Sequence, residues 1–368
     1  MSFKRKTTST SPQRTLSTGL PSLDDILGGG LPPACSLVFT APDLHSAYGL
    51  LVQKYYVAQG IAAGEPVCVV GASEDWVREC MWVPAGPDVP VDADAEGKIK
   101  IAWRYEGMKP FQTTVASSSY VSYCFQGRVD NNSCSACGTF DLTTRIPPSI
   151  VQDALASKQL ILVEADAPAR VLDRLKDLLQ AGTGPLRICV PSLGDPGWGD
   201  IGPQDILRFL HTLRSLLRRH HACASTSLAP ALSGDSYAYG SGWHQRVGWV
   251  ADGAITLSAF SANPALALAF PASQGLVRLH TLPAPLALVP PSDRLSTLRG
   301  ANTGGGGENN LGFKCTRKRL VFETVHLGVE GGVGERRSAR TVEEGQVDVE
   351  KGKKDRKRVG FQSDVYDF

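Results

Sequence analysis

Short apolar runs alternate along the chain with longer stretches of helical spacing. Leu37–Thr40 and Pro66–Val70 are runs of the kind buried on both faces of a sheet, and Ala47–Gln59 between them holds helix-forming residues. The segment therefore predicts strand, helix, strand. Upstream, Ser22 followed three residues on by Asp25 reads as a capping box opening a short helix, and Gly28, Gly29 and Gly30 end it. Ile99–Tyr105 predicts a further strand, and the Ser, Asn, Gly and Cys rich stretch Lys109–Phe140 predicts a loop insertion.

The alternation then resumes. Ser149–Ser157 and Pro168–Gln180 predict helices, and Leu186–Val190 an apolar strand. Asp205–Arg219 predicts a helix with Ile206, Phe209, Leu210, Leu213 and Leu217 on one face and Arg208, Arg214 and Arg218 turned to solvent. Strands follow near Cys223–Ser227, Gly253–Ser258 and Leu276–Leu282. Strands and helices in this order predict an α/β fold, a mostly parallel sheet with helices on both faces. We place this domain at residues 16–327, with the insertion near 110–140 and a glycine linker near 300–310. Residues 1–15 and the charged stretch 328–368, which contains KGKKDRKR, read as disordered tails.

Composition narrows the class. With 368 residues, 42% of them hydrophobic, the chain can bury a large core. No run approaches the roughly 20 apolar residues of a membrane span, and the basic N-terminus lacks the apolar segment of a signal peptide. No membrane partner is expected, and the cytoplasm and nucleus are the expected locations. Nine cysteines without dense regular spacing suit free thiols in a reducing compartment. Cys134 and Cys137 form one close pair, and His220 and His221 end the arginine-rich helix, but neither pair has partners at metal-ligand spacing, so no metal is expected. A net charge of +2 says little, because its placement matters more than its sum.

The stretch STGLPSLDDILGGGLPPACSLVF resembles the segment leading into a RecA-like ATPase core. KIAWRYEGMKPF, CGTFDLTTRIPPSI, LRICVPSLGDPGWG and NNLGFKCTRKRLVFETVHL, in that order, narrow the resemblance to the family of the fourth subunit of the Elongator complex. The match runs from about Ser17 to Leu327. It implies a RecA-like fold, a six-membered ring shared with the fifth and sixth Elongator subunits, and binding of transfer RNA in support of wobble-uridine modification. It also implies that catalysis belongs to another polypeptide of the complex, in the catalytic Elongator subcomplex.

A strand, loop and helix in this order can place a phosphate at the helix N-terminus. A working phosphate loop uses glycines to converge backbone N–H groups, a lysine to reach the phosphate oxygens and a Ser or Thr to hold magnesium. Here Ala41–Tyr48 reads APDLHSAY. Pro42 removes a donor, and Asp43 brings a negative charge. His45 and Ser46 are weak substitutes and read as loop and helix-cap residues. Where such enzymes end a later strand with a carboxylate, LRICVPSLG offers Pro191 and then Ser192. Glu164, ending LILVE, is an alternative carboxylate. We expect no catalytic residue, cofactor or ATPase activity in this subunit; the rival reading is a RecA-like ATPase acting on nucleic acid through an atypical loop. Arg104, Arg208 and Arg214 are of the type that serves a neighbour's nucleotide site, against the plainer reading of surface arginines. For transfer RNA the candidates are Lys314, Arg317, Lys318 and Arg319, read as one basic strand with Arg317 and Arg319 on one face and Lys318 on the other. A basic edge strand guarded against aggregation is the alternative, and a scaffold without RNA contact is a third reading.

Overall fold

A computed structural model of the chain describes residues 15–84, 137–182, 185–220, 222–234, 239, 242–285, 287–299 and 310–325. Residues 1–14, the strand expected at Ile99–Tyr105 with Arg104, most of the 110–140 insertion with Cys134, His221, the glycine linker and the 328–368 tail lie outside them.

The strands, in chain order, are β1 (Ser36–Thr40), β2 (Val67–Val70), β3 (Met81–Trp82), β4 (Asp141–Arg145), β5 (Leu160–Val163), β6 (Arg187–Leu193), β7 (Cys223–Leu228), β8 (Gly253–Ala259), β9 (Gly275–Thr281), β10 (Leu311–Cys315) and β11 (Leu320–Thr324). Nine of them form one sheet in the order β11-β10-β9-β8-β1-β7-β6-β2-β5. From β5 through β8 every pair is parallel, and β9, β10 and β11 continue the sheet antiparallel. β1 is central because all five of its residues, SLVFT, tolerate burial on both faces. β3 and β4 form a separate antiparallel pair.

Helices cover both faces. On one, α1 (Pro21–Ile26), α2 (Tyr48–Ala62) and α4 (Pro148–Ala156) pack against Leu37, Phe39, Val67 and Phe313. α2 is buried almost all round, with Val52, Tyr55, Tyr56, Val57 and Ile61 in the core. On the other face, α5 (Pro168–Ala181), α6 (Pro203–His220) and α7 (Trp243–Val250) pack against Val38, Ile188 and Val190. α5 and α6 are amphipathic: Val171, Leu175 and Leu179 on α5, and Ile206, Phe209, Leu213 and Leu217 on α6, point inward. Burying each such side chain contributes about 1.5–3 kcal/mol. Short helices α3 (Glu74–Arg78), α8 (Pro264–Ala269) and α9 (Ser292–Leu295) complete the described elements. The mostly parallel α/β sheet with helices on both faces is as expected, and no described helix is long and apolar enough to cross a membrane.

Three expectations are corrected. Ser22 and Asp25 do not form a capping box. Leu20 is the N-cap of α1 and carries no side-chain cap. Ser22 Oγ instead accepts the N–H of Phe322 in β11, and Asp25 accepts N–H bonds from Thr297 and Leu298. The carboxylate that folds back is Asp24, bonded to Ser17 Oγ at 2.5 Å and to Thr18 N–H at 2.7 Å; burial pushes its pKa up while those bonds pull it down, and burial prevails. The glycine run does end the helix: Gly28 and Gly30 have φ of +81° and +108°, and a Cβ on Gly28 would lie 2.7 Å from the Pro291 carbonyl carbon.

The second correction concerns α6. Arg208 faces solvent, but Arg214 Nε donates to Asp252 at 2.8 Å and Arg218 joins the same carboxylate at 3.0 Å. Asp252 also accepts the N–H of Ser36, so the two arginines tie α6 to β1. The third concerns the basic segment near 314–319, which is a hairpin and not one strand.

Candidate functional site

β1 delivers the chain to the carboxyl edge of the sheet, the edge at which open α/β sheets hold ligands. The loop 41–47 then turns into α2, as the strand-to-helix reading requires, but two of its backbone donors, the N–H groups of His45 and Ser46, are turned onto Asp43. Asp43 is almost fully buried. Its carboxylate accepts the N–H of His45 at 2.9 Å, and its backbone carbonyl accepts the N–H of Ser46 at 3.3 Å. Its second carboxylate oxygen accepts the hydroxyl of Ser261, which follows β8. That bond, with the His45 N–H, outweighs burial and holds the Asp43 carboxyl below its ordinary range. The loop thus carries its own anion, and a phosphate would meet a fixed negative charge. Ser46 is not the helix cap: Ala47 is, without a side-chain bond, and Ser46 Oγ turns to Asp43, 3.5 Å from its carbonyl.

Beneath the loop, Thr40 Oγ1 and Thr256 Oγ1 lie 2.6 Å apart, and Thr256 Oγ1 lies 2.7 Å from His280 Nε2. His280 stacks on His244, with ring centroids 4.9 Å apart. The hydroxyl at the end of β1 is therefore engaged within the sheet. No sequence signal points to this chain of contacts, because it joins positions 216 and 24 residues apart.

Pro191 does not follow β6 but lies within it. The ladder with β7 is regular to Val190, breaks, and resumes at Leu193. Proline has no N–H to give the ladder, Ser192 takes a left-handed φ of +53°, and the Ser192 N–H donates to Ser227 Oγ at 3.0 Å. Glu164 is exposed just beyond β5, the outermost parallel strand. Four strand spacings separate β5 from β1, about 19 Å, too far for this carboxylate to act at the loop. Of the arginines named for a neighbour's site, Arg208 is exposed and 3.5 Å from Asp205, and Arg214 is committed to Asp252.

The second candidate surface is the β10–β11 hairpin. β10 and β11 pair from Leu311 with Thr324 to Cys315 with Leu320, leaving 316–319 as the turn. Thr316 and Arg319 close it through a backbone bond of 2.8 Å and through Thr316 Oγ1, 3.1 Å from both the N–H and the carbonyl of Arg319. Arg317, Lys318 and Arg319 are exposed at the tip, and Lys314, half-buried, stands on β10 opposite Val321. Strand alternation therefore does not divide Arg317 and Arg319 from Lys318; a turn presents all three. The tip is fixed from behind, because the Leu142 N–H of β4 donates to the Lys318 carbonyl at 2.8 Å. Burial raises the neighbouring Asp141 carboxyl, but bonds from Thr143 and the charges of Lys318 and Arg317 outweigh it and leave the group below its ordinary value.

The described cysteines are free thiols; burial pushes Cys68 and Cys80 up to about 12. Cys137 is half-buried, and no group of three metal-ligating side chains occurs among the described residues.

Comparison with known proteins finds relatives along most of the chain. The chain is 26% identical over 366 residues to "Elongator complex protein 4" of Xenopus laevis, covering 86% of this chain and 80% of that one. It is 25% identical to the Homo sapiens protein of the same name, over 86% and 77%, and 24% identical to that of Schizosaccharomyces pombe, over 83% of each. The family model described as PAXNEB protein matches residues 4–361, and the chain therefore belongs to the PAXNEB family, that of Elongator subunit 4.

Proposed function

We propose that the chain is a non-catalytic subunit of the Elongator complex. In this reading it joins the fifth and sixth subunits in a RecA-like heterohexameric ring, which holds transfer RNA for the catalytic subcomplex that modifies its wobble uridine. The subunit itself supplies no Walker motif and no cofactor, and it works in the cytoplasm and nucleus. Family membership supports the assembly. The observation that carries the non-catalytic role is the Asp43 carboxylate, seated in the loop where a phosphate would need free N–H groups. The basic hairpin tip supports a contact with RNA phosphates through Lys314, Arg317, Lys318 and Arg319.

The test is co-expression with the fifth and sixth subunits followed by native mass measurement, ATP turnover and RNA crosslinking. A discrete hexamer that crosslinks transfer RNA through this chain, and whose ATP turnover survives substitution of Asp43, is expected. ATP hydrolysis by the isolated chain, lost on substitution of this loop, overturns the reading in favour of an atypical RecA-like ATPase. A hexamer in which the chain never crosslinks to RNA reduces its role to scaffold.

A further inference from the structure

β4 reaches the basic hairpin tip from the side. The Leu142 N–H donates to the Lys318 carbonyl at 2.8 Å, so the residue before it, Asp141, stands beside the turn. The carboxylate is fixed by its own strand: Oδ1 accepts the Thr143 N–H at 2.8 Å and the Thr143 hydroxyl at 2.7 Å. Oδ2 accepts no hydrogen bond among the described residues. Against the effect of burial, the Thr143 bonds and then the charges of Lys318 and Arg317 hold this carboxyl below its ordinary value. That attraction is mutual. Yet among the described residues no carboxylate closes an ion pair with Lys314, Arg317, Lys318 or Arg319, so their charged heads stand unpaired.

A fixed negative charge in this position acts on any anion at the tip. A phosphate that meets Lys318 or Arg317 is drawn by the cations and repelled by the carboxylate beside them. Across a few ångströms of water, one such charge changes affinity by about threefold to fivefold, and salt screens it. We propose that Asp141 is a counter-charge that weakens the hold of the hairpin tip on phosphate and keeps the RNA contact readily reversible. It acts through Lys318 and Arg317 and is a positioning residue, not itself a ligand of the RNA. The inference rests on the reading of the tip as an RNA contact and adds the regulation of that contact. An aspartate needed only for the bonds to Thr143 would leave phosphate binding untouched when its charge alone is removed.

The experiment measures binding of a transfer RNA transcript to the full chain in its assembled ring, by filter binding over a salt series. Asp141→Asn keeps the Oδ1 acceptor for Thr143 and removes only the charge. It should bind about threefold to fivefold more tightly near about 50 mM salt, and the gain should shrink as added salt screens the charge. Asp177→Asn makes the same change in net charge at an exposed position of α5, the helix that follows the strand at the opposite edge of the sheet. It should alter affinity by less than about 1.5-fold. In a chain whose Lys314, Arg317, Lys318 and Arg319 are already neutral, Asp141→Asn should gain nothing. If the fourfold substitution weakens binding but Asp141→Asn tightens it no more than Asp177→Asn does, the proposal is overturned while the RNA contact stands. A gain that survives in the neutral chain overturns it as well. If the fourfold substitution leaves binding unchanged, the RNA contact itself fails and the proposal falls with it.

Discussion

Ser22 Oγ in α1 accepts the backbone N–H of Phe322 in β11 at 2.9 Å, a bond between residues 300 apart in the chain. Tyr55 OH in α2 does the same for Leu320 at 3.2 Å. β11 is the last strand of the sheet, and its outward N–H groups would otherwise stand as a template for another chain. Two side chains from the helical layer close that edge. These two N–H groups of β11 therefore do not depend on the basic residues of the hairpin tip for protection.

It follows that Ser22→Ala and Tyr55→Phe should each destabilise the protein, by about 1–2 kcal/mol, because each leaves a strand N–H without its acceptor. Thermal unfolding should show a drop of about 2–4 °C per kcal/mol in a domain of this size. Unchanged unfolding in both variants would mean that water replaces the hydroxyls and that the edge is open.

Asp43 makes a pH prediction with a definite sign. Its native carboxyl titrates below the ordinary value of 3.8, through the Ser261 hydroxyl first and, against the opposing effect of burial, the His45 N–H after it. The ionised group therefore stabilises the fold at pH values above the unfolded-state value, and that contribution is lost as pH falls through the lowered native one. Asp43→Asn should unfold more easily than the parent at pH 6–7, and the two should converge below about pH 4. A gap that persists at low pH would show that the aspartate acts through packing alone. The same variant should leave ATP turnover by the assembled ring nearly unchanged.

Asp252 separates the arginines of α6 by role. Its side chain is nearly buried and accepts from Arg214, Arg218, Ser36 N–H and Ser36 Oγ. Asp252→Ala should cost about 3 kcal/mol, because it leaves the partly buried Arg214 and the Ser36 donors without an acceptor. Arg208→Ala should cost less than about 0.5 kcal/mol, since its pair with Asp205 is exposed. Denaturant midpoints of the two variants check the contrast.

These cases show which features a sequence can carry. The buried run of β1 and the two-faced helix α6 follow from local pattern, because each residue's burial is set by its own element, whereas β6 runs on through Pro191 to Leu193, past the end its apolar run suggests. Long-range contacts do not. Arg214 sits on the polar face of α6 yet is claimed by Asp252 from the turn before β8, a contact no periodicity encodes. Ser22 and Asp25 have the spacing of a capping box, but tertiary partners take both side chains. Lys314 to Arg319 read as a strand only if alternation runs on through residues that form a turn, where Thr316 and Arg319 bond to each other. At the candidate loop, the missing lysine and glycines are legible in the sequence. The bond from Ser261 to Asp43 is not, since it spans 218 residues.

The hairpin tip yields a prediction about RNA that rests on charge held in a fixed place. Arg317, Lys318 and Arg319 project from one turn, with Lys314 close behind on β10, and the Leu142 N–H anchors the turn through the Lys318 carbonyl. If these cations touch phosphates, replacing the four with neutral residues should weaken transfer RNA binding by the assembled ring without changing its assembly. Loss of about three phosphate contacts should also flatten the salt dependence, by a slope change of about 2 for single-stranded regions. The loss should be similar for different RNA sequences, because phosphate contacts position the ligand and do not read its bases. Thr316→Val separates charge from placement: it removes the hydroxyl that closes the turn and keeps every cation. That variant should lose affinity modestly, about twofold to fivefold, while its salt slope stays near that of the parent, since the number of phosphates neutralised is unchanged. Filter binding over a salt series reads both quantities. Affinity and slope that survive the fourfold substitution in an intact ring would assign the RNA contact to other surfaces of this chain or to its neighbours.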